Sequence, residues 1–361
     1  MNDKVTLMKG NEALAMAMIR YGADGYFGYP ITPQSEVLEK LEEEMPWETT
    51  GMVVLQAESE VAAINMVYGG AMTGKAVCTS TSSPGFSLMQ EGVSYLAASE
   101  VPALLINVQR GGPGLGTIHA SQADYFQACK GGGHGDYHMI VLAPSSVQEM
   151  ADMVALGFDL ALKYRCVSMI LADGTIGQLM EKVVLPEQRP RRTDDEIREQ
   201  CPWAVNGRKG MRPSNVVTSL ELDDDKMEEN NWRFQACYRE IEKNETRCEL
   251  IDVEDCDYLI TAFGTTARVA MKTMELARAE GIKVGMFRPI TLWPFPEKQL
   301  REAAKNVKGI LCVELNAGQM VEDVKLAVEC KMPVEHYGRF GGNVPTPDEL
   351  LNVLKEKLIN K

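Results

Sequence analysis

The sequence predicts an α/β protein in which a parallel sheet is covered by helices on both faces and a second, smaller α/β unit follows. Three observations carry this prediction. Short apolar runs alternate with helix-length segments through residues 25–171, and that alternation builds a parallel sheet. The run 101–108 is almost continuously apolar, as a strand must be when both of its faces are buried. The alternation stops after Leu185 in a charged, proline- and arginine-bearing stretch and resumes at Asp257. A chain of 361 residues is long enough for two cores. The expected organisation is an α/β domain over 1–190, a charged linker with some helix over 191–255, and a second α/β domain over 256–361.

The elements follow in order. Gly10-Asn11 caps an expected helix over 12–21, because Leu14, Met18 and Tyr21 recur at helical spacing and Gly22 suits a left-handed stop. A strand over 25–29 then meets Tyr29-Pro30-Ile31-Thr32-Pro33. Thr32 is a good N-cap and Pro33 a good first helical residue, since proline leaves no N–H unpaired there. A helix is therefore expected over 33–44. A strand over 52–55 delivers Gln56-Ala57-Glu58-Ser59-Glu60 to a helix over 58–72, whose Ala62, Ala63, Gly69 and Gly70 let another backbone come close. Next come a strand over 76–79, a hydroxyl-rich turn over 79–83 and a helix from Pro84 to 98. After the 101–108 strand, Arg110 to Gly116 forms a glycine-rich loop, 122–129 a helix and 131–135 a second loop. A strand over 139–142, a helix over 146–162 and a strand over 167–171 finish the first domain. Within the linker a helix is expected over 231–248, with Trp203, Trp232 and Phe234 packing on the first domain. The last unit is expected to hold strands over 258–263, 283–287, 309–313 and 334–337, with helices between them and a final helix from Pro347.

The formal charge of −14 and pI near 4.9 argue against nucleic acid or an anionic membrane as partner. No apolar run reaches the ~18 residues of a membrane helix, and residues 1–10 lack the apolar core of a signal peptide. Nine cysteines without a C-x-x-C pair fit a reducing cytoplasm and argue against an iron–sulfur cluster or zinc in this chain. Ligands of parallel sheets bind outside the carboxyl ends of the strands. The Tyr29–Pro33 turn, Glu60, Ser82-Ser83 and Arg110 all fall at such ends. Each also has a plainer reading. Glu58 and Glu60 favour a helix N-terminus by ~0.3–1 kcal/mol each, Thr32 and the serines are caps, and Arg110 is a surface arginine after a strand. Gly112-x-Gly114-x-Gly116 lacks dinucleotide-loop spacing and is interrupted by Pro113. His119, His134 and His138 are irregularly spaced with no cysteine at metal-ligand spacing, and Asp136 and Asp173 have no stronger claim, so no metal site is expected.

The Tyr29–Pro33 motif, followed by Glu60 in its E-x-E-x-A context, resembles the alpha-type subunit of the 2-oxo acid:ferredoxin oxidoreductases, which are thiamine-diphosphate enzymes. The likeness continues through Ser82-Ser83-Pro84-Gly85-Phe86 and Arg110-Gly111-Gly112-Pro113-Gly114-Leu115-Gly116-Thr117. It is looser in the last third, where Leu292-Trp293-Pro294-Phe295-Pro296 is similar to the C-terminal domain of transketolase-like enzymes. The resemblance implies a thiamine-diphosphate pyrimidine-binding domain joined to a transketolase C-terminal-like domain. It implies that Glu60 bonds N1′ of the aminopyrimidine and promotes the tautomer that takes the thiazolium proton, with Glu58 as the local competitor. Tyr29, Ser82 and Ser83 would line the cofactor pocket. Thr32 and the Arg110 fork would hold the substrate carboxylate.

One half of such a site is missing, because the nearest thing to a Gly-Asp-Gly segment is Ala172-Asp173-Gly174. A beta-type subunit is expected to hold Mg²⁺ and the diphosphate. Iron–sulfur clusters are expected in that subunit and in small ferredoxin-like subunits, with ferredoxin as acceptor and coenzyme A as cosubstrate. The implied activity is oxidative decarboxylation of a 2-oxo acid to acyl-CoA and carbon dioxide. The 117–136 loop and the GGPGLG run look most like the branched-chain (3-methyl-2-oxobutanoate, or 2-ketoisovalerate) type. The 2-oxoglutarate type is the alternative, with Lys130 as the cation for a second carboxylate. A non-catalytic scaffold subunit and a transketolase-type transferase are the remaining readings.

Overall fold

The computed structural model describes residues 5–208 and 210–360, so the reading of residues 1–10 as free of a signal peptide lies partly outside them. β1 (Val5–Lys9) runs straight into α1 (Gly10–Tyr21), where the Glu12 carboxylate accepts the Lys9 backbone N–H at 2.8 Å. Gly22 ends that helix at φ 79°, the left-handed stop that glycine adopts freely. β2 (Gly25–Gly28), α2 (Ser35–Glu44), the single turn α3 (Pro46–Thr49), β3 (Val53–Gln56), α4 (Glu60–Met72), β4 (Val77–Thr81), α5 (Ser83–Ala98) and β5 (Ala103–Gln109) follow. Then come the short α6 (Tyr125–Cys129), β6 (Ile140–Leu142), α7 (Val147–Tyr164), β7 (Val167–Asp173), α8 (Gly174–Gln178) and β8 (Met180–Val184). Six of these strands form one parallel sheet in the order β6-β7-β5-β4-β2-β3. Every residue of β5 and β7 is buried, which is why those runs read as continuously apolar.

The linker is a strap with two helices, α9 (Asp194–Gln200) and α10 (Asp224–Asn244). Arg191 pins its start to the buried Asp24 at 2.8 Å, and Arg165 lies over the Trp203 ring at 4.7 Å. α10 begins at a capping Asp223 and buries only Phe234, Tyr238 and Ile241. Trp232 stays 62% exposed and so does not pack as expected.

The last unit holds β9 (Cys248–Ile251), β10 (Tyr258–Thr261), α11 (Gly264–Ala279), β11 (Val284–Pro289), β12 (Thr291–Trp293), α12 (Glu297–Ala303), β13 (Gly309–Glu314), α13 (Met320–Ala327), β14 (Val334–Gly338) and α14 (Pro347–Leu354), then a π-helical turn over Lys355–Ile359. Its five-stranded sheet has the order β14-β13-β10-β11-β9, parallel except for the antiparallel edge strand β9.

Several details depart from the sequence expectations. Residues 291–293 form a strand that was not among those expected: β12 leaves its own unit and pairs antiparallel with β6, becoming the seventh strand of the first sheet. β8 returns to pair antiparallel with β1 in a ribbon that periodicity did not reveal. Thr32 and Pro33 are not the cap and first residue of α2. The peptide between them is cis and the helix begins at Ser35, while the Pro33 carbonyl accepts side-chain N–H groups of Asn11 (2.7 Å) and Gln178 (3.0 Å). α4 begins at Glu60 rather than 58, capped by the Ser59 hydroxyl, which accepts the Ala62 N–H at 3.2 Å.

α6 begins at Tyr125 because Gln122 is bound to the second unit instead. Its side chain donates to the Phe263 carbonyl (2.7 Å) and accepts the Leu315 N–H (3.0 Å). Asp173, at the end of β7, completes the seam. Its carboxylate accepts the Thr265 N–H (2.8 Å) and hydroxyl (2.5 Å), and the Thr175 and Ile176 N–H groups of α8.

Candidate functional site

The carboxyl ends of β2, β4 and β5 and the first turns of α4 and α5 converge on one floor. The Tyr29–Pro33 turn is held from beneath by a buried chain. Tyr26 Oη and Ser80 Oγ lie 2.6 Å apart, the Ser80 hydroxyl donates to Gln34 Oε1 (2.5 Å), and Gln34 Nε2 donates to the Tyr29 carbonyl (3.2 Å). Glu36 ties the same turn to α8. Burial works against its charge, but hydrogen bonds from Gln178, Asn11 and Lys9 hold its carboxyl below the usual range. Tyr29 itself is half-buried and Thr32 is exposed on the rim.

Glu60 opens α4 and is only 6% exposed, yet no hydrogen bond or ion pair engages its carboxylate among the described residues. Glu58, two residues earlier, is exposed and accepts the Ser59 hydroxyl at 2.8 Å. Glu60 lies against Gly85 of α5, where an added Cβ would stand 2.6 Å from Glu60 Oε1 and overlap Thr81 Oγ1. Further buried polar atoms at the ends of β4 and β5 lack partners among the described residues: the hydroxyls of Thr79, Thr81 and Ser82 and the side-chain oxygen of Asn107. A buried carboxylate and buried hydroxyls without partners are groups that a polar ligand would satisfy.

Arg110 follows β5 directly. Its Nη1 donates to the Thr32 carbonyl at 2.9 Å, so the two residues assigned to one carboxylate are brought together. Its Nε is buried without a partner, and no hydrogen bond engages Nη2 among the described residues. The Nε–Nη2 edge is the face of a guanidinium that grips a carboxylate bidentately. The Arg110 backbone N–H donates to Ser83 Oγ (3.0 Å), and the Ser83 hydroxyl donates to Asp124 Oδ2 (2.6 Å). The Ser83 hydroxyl is thus engaged within the chain, whereas that of Ser82 is not.

In front of Arg110 opens a cleft of ≈ 650 Å³ between the two units. Pro84, Arg110, Leu115 and Asp124 line one wall, Leu315, Asn316 and Phe340 the other. Leu115 is 83% and Phe340 60% exposed. The 110–120 segment doubles back on itself, with the Gly111 N–H donating to the His119 carbonyl at 2.9 Å and Arg110 bridged to Ala120. Lys130 lies outside this cleft, paired with Asp323 at 2.6 Å beside a separate cavity that His138 and Trp293 line. Sequence reasoning missed Gln34, Asn11, Gln178 and Asp124. None stands in a recognisable motif; Gly85, which shapes the gap, does.

Among the described residues no group of three or more His, Cys, Asp or Glu is placed to hold a metal ion, and no helix is long and apolar enough to cross a membrane.

Residues 16–244 match the family "Pyruvate flavodoxin/ferredoxin oxidoreductase, thiamine diP-bdg", so the chain carries a thiamine diphosphate-binding domain, and residues 256–350 match "Pyruvate:ferredoxin oxidoreductase core domain II". A ketoisovalerate oxidoreductase subunit VorB from Methanothermobacter marburgensis is 47% identical over 97% of this chain and 97% of its own length. A 2-oxoglutarate synthase subunit KorA from the same organism is 35% identical over 96% and 97%. A solved 2-oxoglutarate:ferredoxin oxidoreductase from Magnetococcus marinus, with 2-oxoglutarate, coenzyme A and succinyl-CoA bound, superimposes with a TM-score of 0.83 at 29% identity. That match covers 98% of this chain and 65% of the Magnetococcus chain. A split-gene transketolase shares the fold alone, at 13% identity and a TM-score of 0.60.

Proposed function

The chain belongs to the 2-oxo acid:ferredoxin oxidoreductases as an alpha-type subunit, and from that premise we infer that it supplies the pyrimidine-side half of a site that oxidatively decarboxylates a branched-chain 2-oxo acid to an acyl-CoA and carbon dioxide. The observation that carries the inference is the buried Glu60 carboxylate, unpaired among the described residues and packed against Gly85 on the same side as the unpartnered Thr81 hydroxyl. Those groups fit the polar edge of an aminopyrimidine, with Glu60, Tyr29 and Ser82 as the residues that would hold it. When bound, thiamine diphosphate supplies the electron-accepting ring that lets a 2-oxo acid lose its carboxylate as carbon dioxide. Glu60 holds a proton at the ring-nitrogen edge, a task suited to a carboxyl in a dry site. Glu58 is exposed and already bonded, which favours Glu60 for that role.

Arg110 takes the substrate carboxylate on its free edge with Thr32 beside it, and this turns the oxo carbon toward the reacting centre. Arg110 is the only cation on the cleft walls among the described residues, and Pro113, Leu115 and Phe340 are apolar. A branched aliphatic chain suits such walls. A second carboxylate does not, because Lys130 is committed to Asp323. The likeness to the ketoisovalerate subunit points the same way.

Val53 and Leu55 on β3, Val61 and Met66 on α4 and Leu88 on α5 are exposed apolar side chains on the elements that carry or flank Glu60. They support a beta-type partner subunit that closes the site and brings Mg²⁺ and iron–sulfur clusters, with ferredoxin-like subunits and ferredoxin beyond it. Nine free cysteines support a reducing, cytoplasmic setting. The division into 1–190, 191–255 and 256–361 accompanies this reading.

The test is 2-oxo-acid-dependent reduction of a low-potential dye by the co-purified complex with coenzyme A and thiamine diphosphate. Glu60→Gln is expected to lose ~10²-fold or more in rate, and 3-methyl-2-oxobutanoate to outrun 2-oxoglutarate. An unchanged rate in the variant would move the proton-holding group elsewhere and leave a scaffold role, and a preference for 2-oxoglutarate would reassign the substrate.

A further inference from the structure

Asp124 is the one carboxyl among the described residues on the walls of the Arg110 cleft, and it behaves unlike an aspartate in its position. It precedes the first residue of α6, where an aspartate ordinarily turns back to accept the helix's leading N–H groups. Here it makes no such bond. The Phe126 N–H that it would accept is taken by Gln319 Oε1 from the second unit at 2.8 Å. The carboxylate is released for other partners. Its Oδ2 accepts the Ser83 hydroxyl at 2.6 Å and the Asn107 amide at 2.9 Å, while Gln109 Oε1 fixes its backbone N–H at 3.1 Å. Its Oδ1 has no partner among the described residues. Burial pushes the carboxyl up, against the pull of the Ser83 and Asn107 hydrogen bonds.

Ser83 Oγ is the hinge of this chain. It has one proton and two places to send it: Asp124 Oδ2, or the Arg110 carbonyl at 3.2 Å. With the proton on the Asp124 side, its lone pair accepts the Arg110 N–H at 3.0 Å. Removing the carboxylate would release the hydroxyl to swing toward the carbonyl and loosen the point from which the Arg110 side chain starts.

We propose that Asp124 is a positioning residue for substrate binding: acting through the Ser83 hydroxyl, it fixes the backbone of Arg110 and so aims the guanidinium edge at the carboxylate of the 2-oxo acid. This rests on Arg110 being the substrate anchor, as argued above.

The reconstituted complex tests it with 3-methyl-2-oxobutanoate as substrate and 3-methylbutanoate as a carboxylate that binds without reacting. Asp124→Ala is expected to raise KM and the inhibition constant roughly tenfold, a part of the ~10²-fold that a full ångström of misplacement can cost, with a smaller effect on kcat. Ser83→Ala is expected to do the same. Asp124→Asn, whose amide oxygen still accepts from Ser83, is expected to recover most of the lost affinity. In an Arg110→Gln background, Asp124→Ala is expected to add nothing further, a non-additivity that a merely structural role would not produce.

Arg110→Gln raising KM while both Asp124→Ala and Ser83→Ala leave it unchanged would overturn the proposal and spare the anchor. So would full additivity in the double variant. Arg110→Gln leaving KM unchanged would sink the anchor itself, and the proposal with it. If Asp124→Ala does not assemble with its partners, Ser83→Ala alone decides.

Discussion

Gly85→Ala is the sharpest small perturbation of the Glu60 pocket. On propensity alone the exchange favours α5 by about 1 kcal/mol, so any harm comes from the space the methyl group takes. An added Cβ stands 2.6 Å from Glu60 Oε1 and 2.9 Å from its Cγ, and overlaps Thr81 Oγ1. Ordinary contact begins near 3.4 Å, so the Glu60 oxygen must retreat by ~0.8 Å (3.4 minus 2.6). Glu60 has no hydrogen bond to break and is the group that yields, while Thr81 is buried in β4 and yields less. Overpacking of this kind costs ~1–3 kcal/mol in stability. If Glu60 is the proposed proton-holding group, a shift of that size costs up to ~10²-fold in rate. Dye reduction by the complex across a thiamine diphosphate titration, beside the thermal midpoint of the subunit, measures both effects. A variant with wild-type cofactor affinity and kcat would refute the reasoning, because it would show that the position of the Glu60 carboxylate beside Gly85 does not matter to the cofactor.

Other outcomes follow from neighbouring geometry. Gly69→Ala in α4 meets nothing within 4 Å and is expected to raise the subunit's stability by up to ~1 kcal/mol in chemical denaturation; a loss would mean that the exposed face of α4 is strained. Glu245, at the end of α10, is opposed by desolvation, yet hydrogen bonds from Lys163, Tyr164 and Arg247 bring its carboxyl down to about 2. Because its folded pKa is depressed, its contribution is whole above the ordinary carboxylate value of 4.5 and is lost as pH falls from there through about 2. The amount at stake is on the order of 3 kcal/mol. Glu245→Gln should flatten the stability profile in that window, and an unchanged slope would count against the network. Asp173→Ala strands the Thr265, Thr175 and Ile176 N–H groups and is expected to lower stability by ~3 kcal/mol or more; a drop under ~1 kcal/mol would show that water replaces the carboxylate.

What could be read from the sequence was what rests on local pattern. The buried strands β5 and β7 announced themselves because both faces are covered. The ends that carry Glu60, Ser82 and Arg110 followed from the topology of parallel sheets, and the roles given to those residues came from resemblance to a family. What escaped depends on contacts distant in sequence. Pro33 looked like a helix start, but the Asn11 and Gln178 amides take its carbonyl from 22 and 145 positions away. Gln122 looked helical until the second unit claimed its side chain. Asp124 looked like one more helix residue, because nothing local shows that Gln319 relieves it of capping.

β12 gives the two units a shared fate. A strand lent by one sheet to another works as a tongue in a groove: the C-terminal portion cannot swing away on its linker, or be cut off and expressed alone, without baring the wholly buried strand β6. Nicking the strap beside the exposed Val216, Leu220 and Leu222 should therefore leave the halves together. The walls of the cleft before Arg110 belong to different units yet move as one piece of joinery, so substrates must come and go past the Leu115 and Phe340 side chains rather than through an opening hinge.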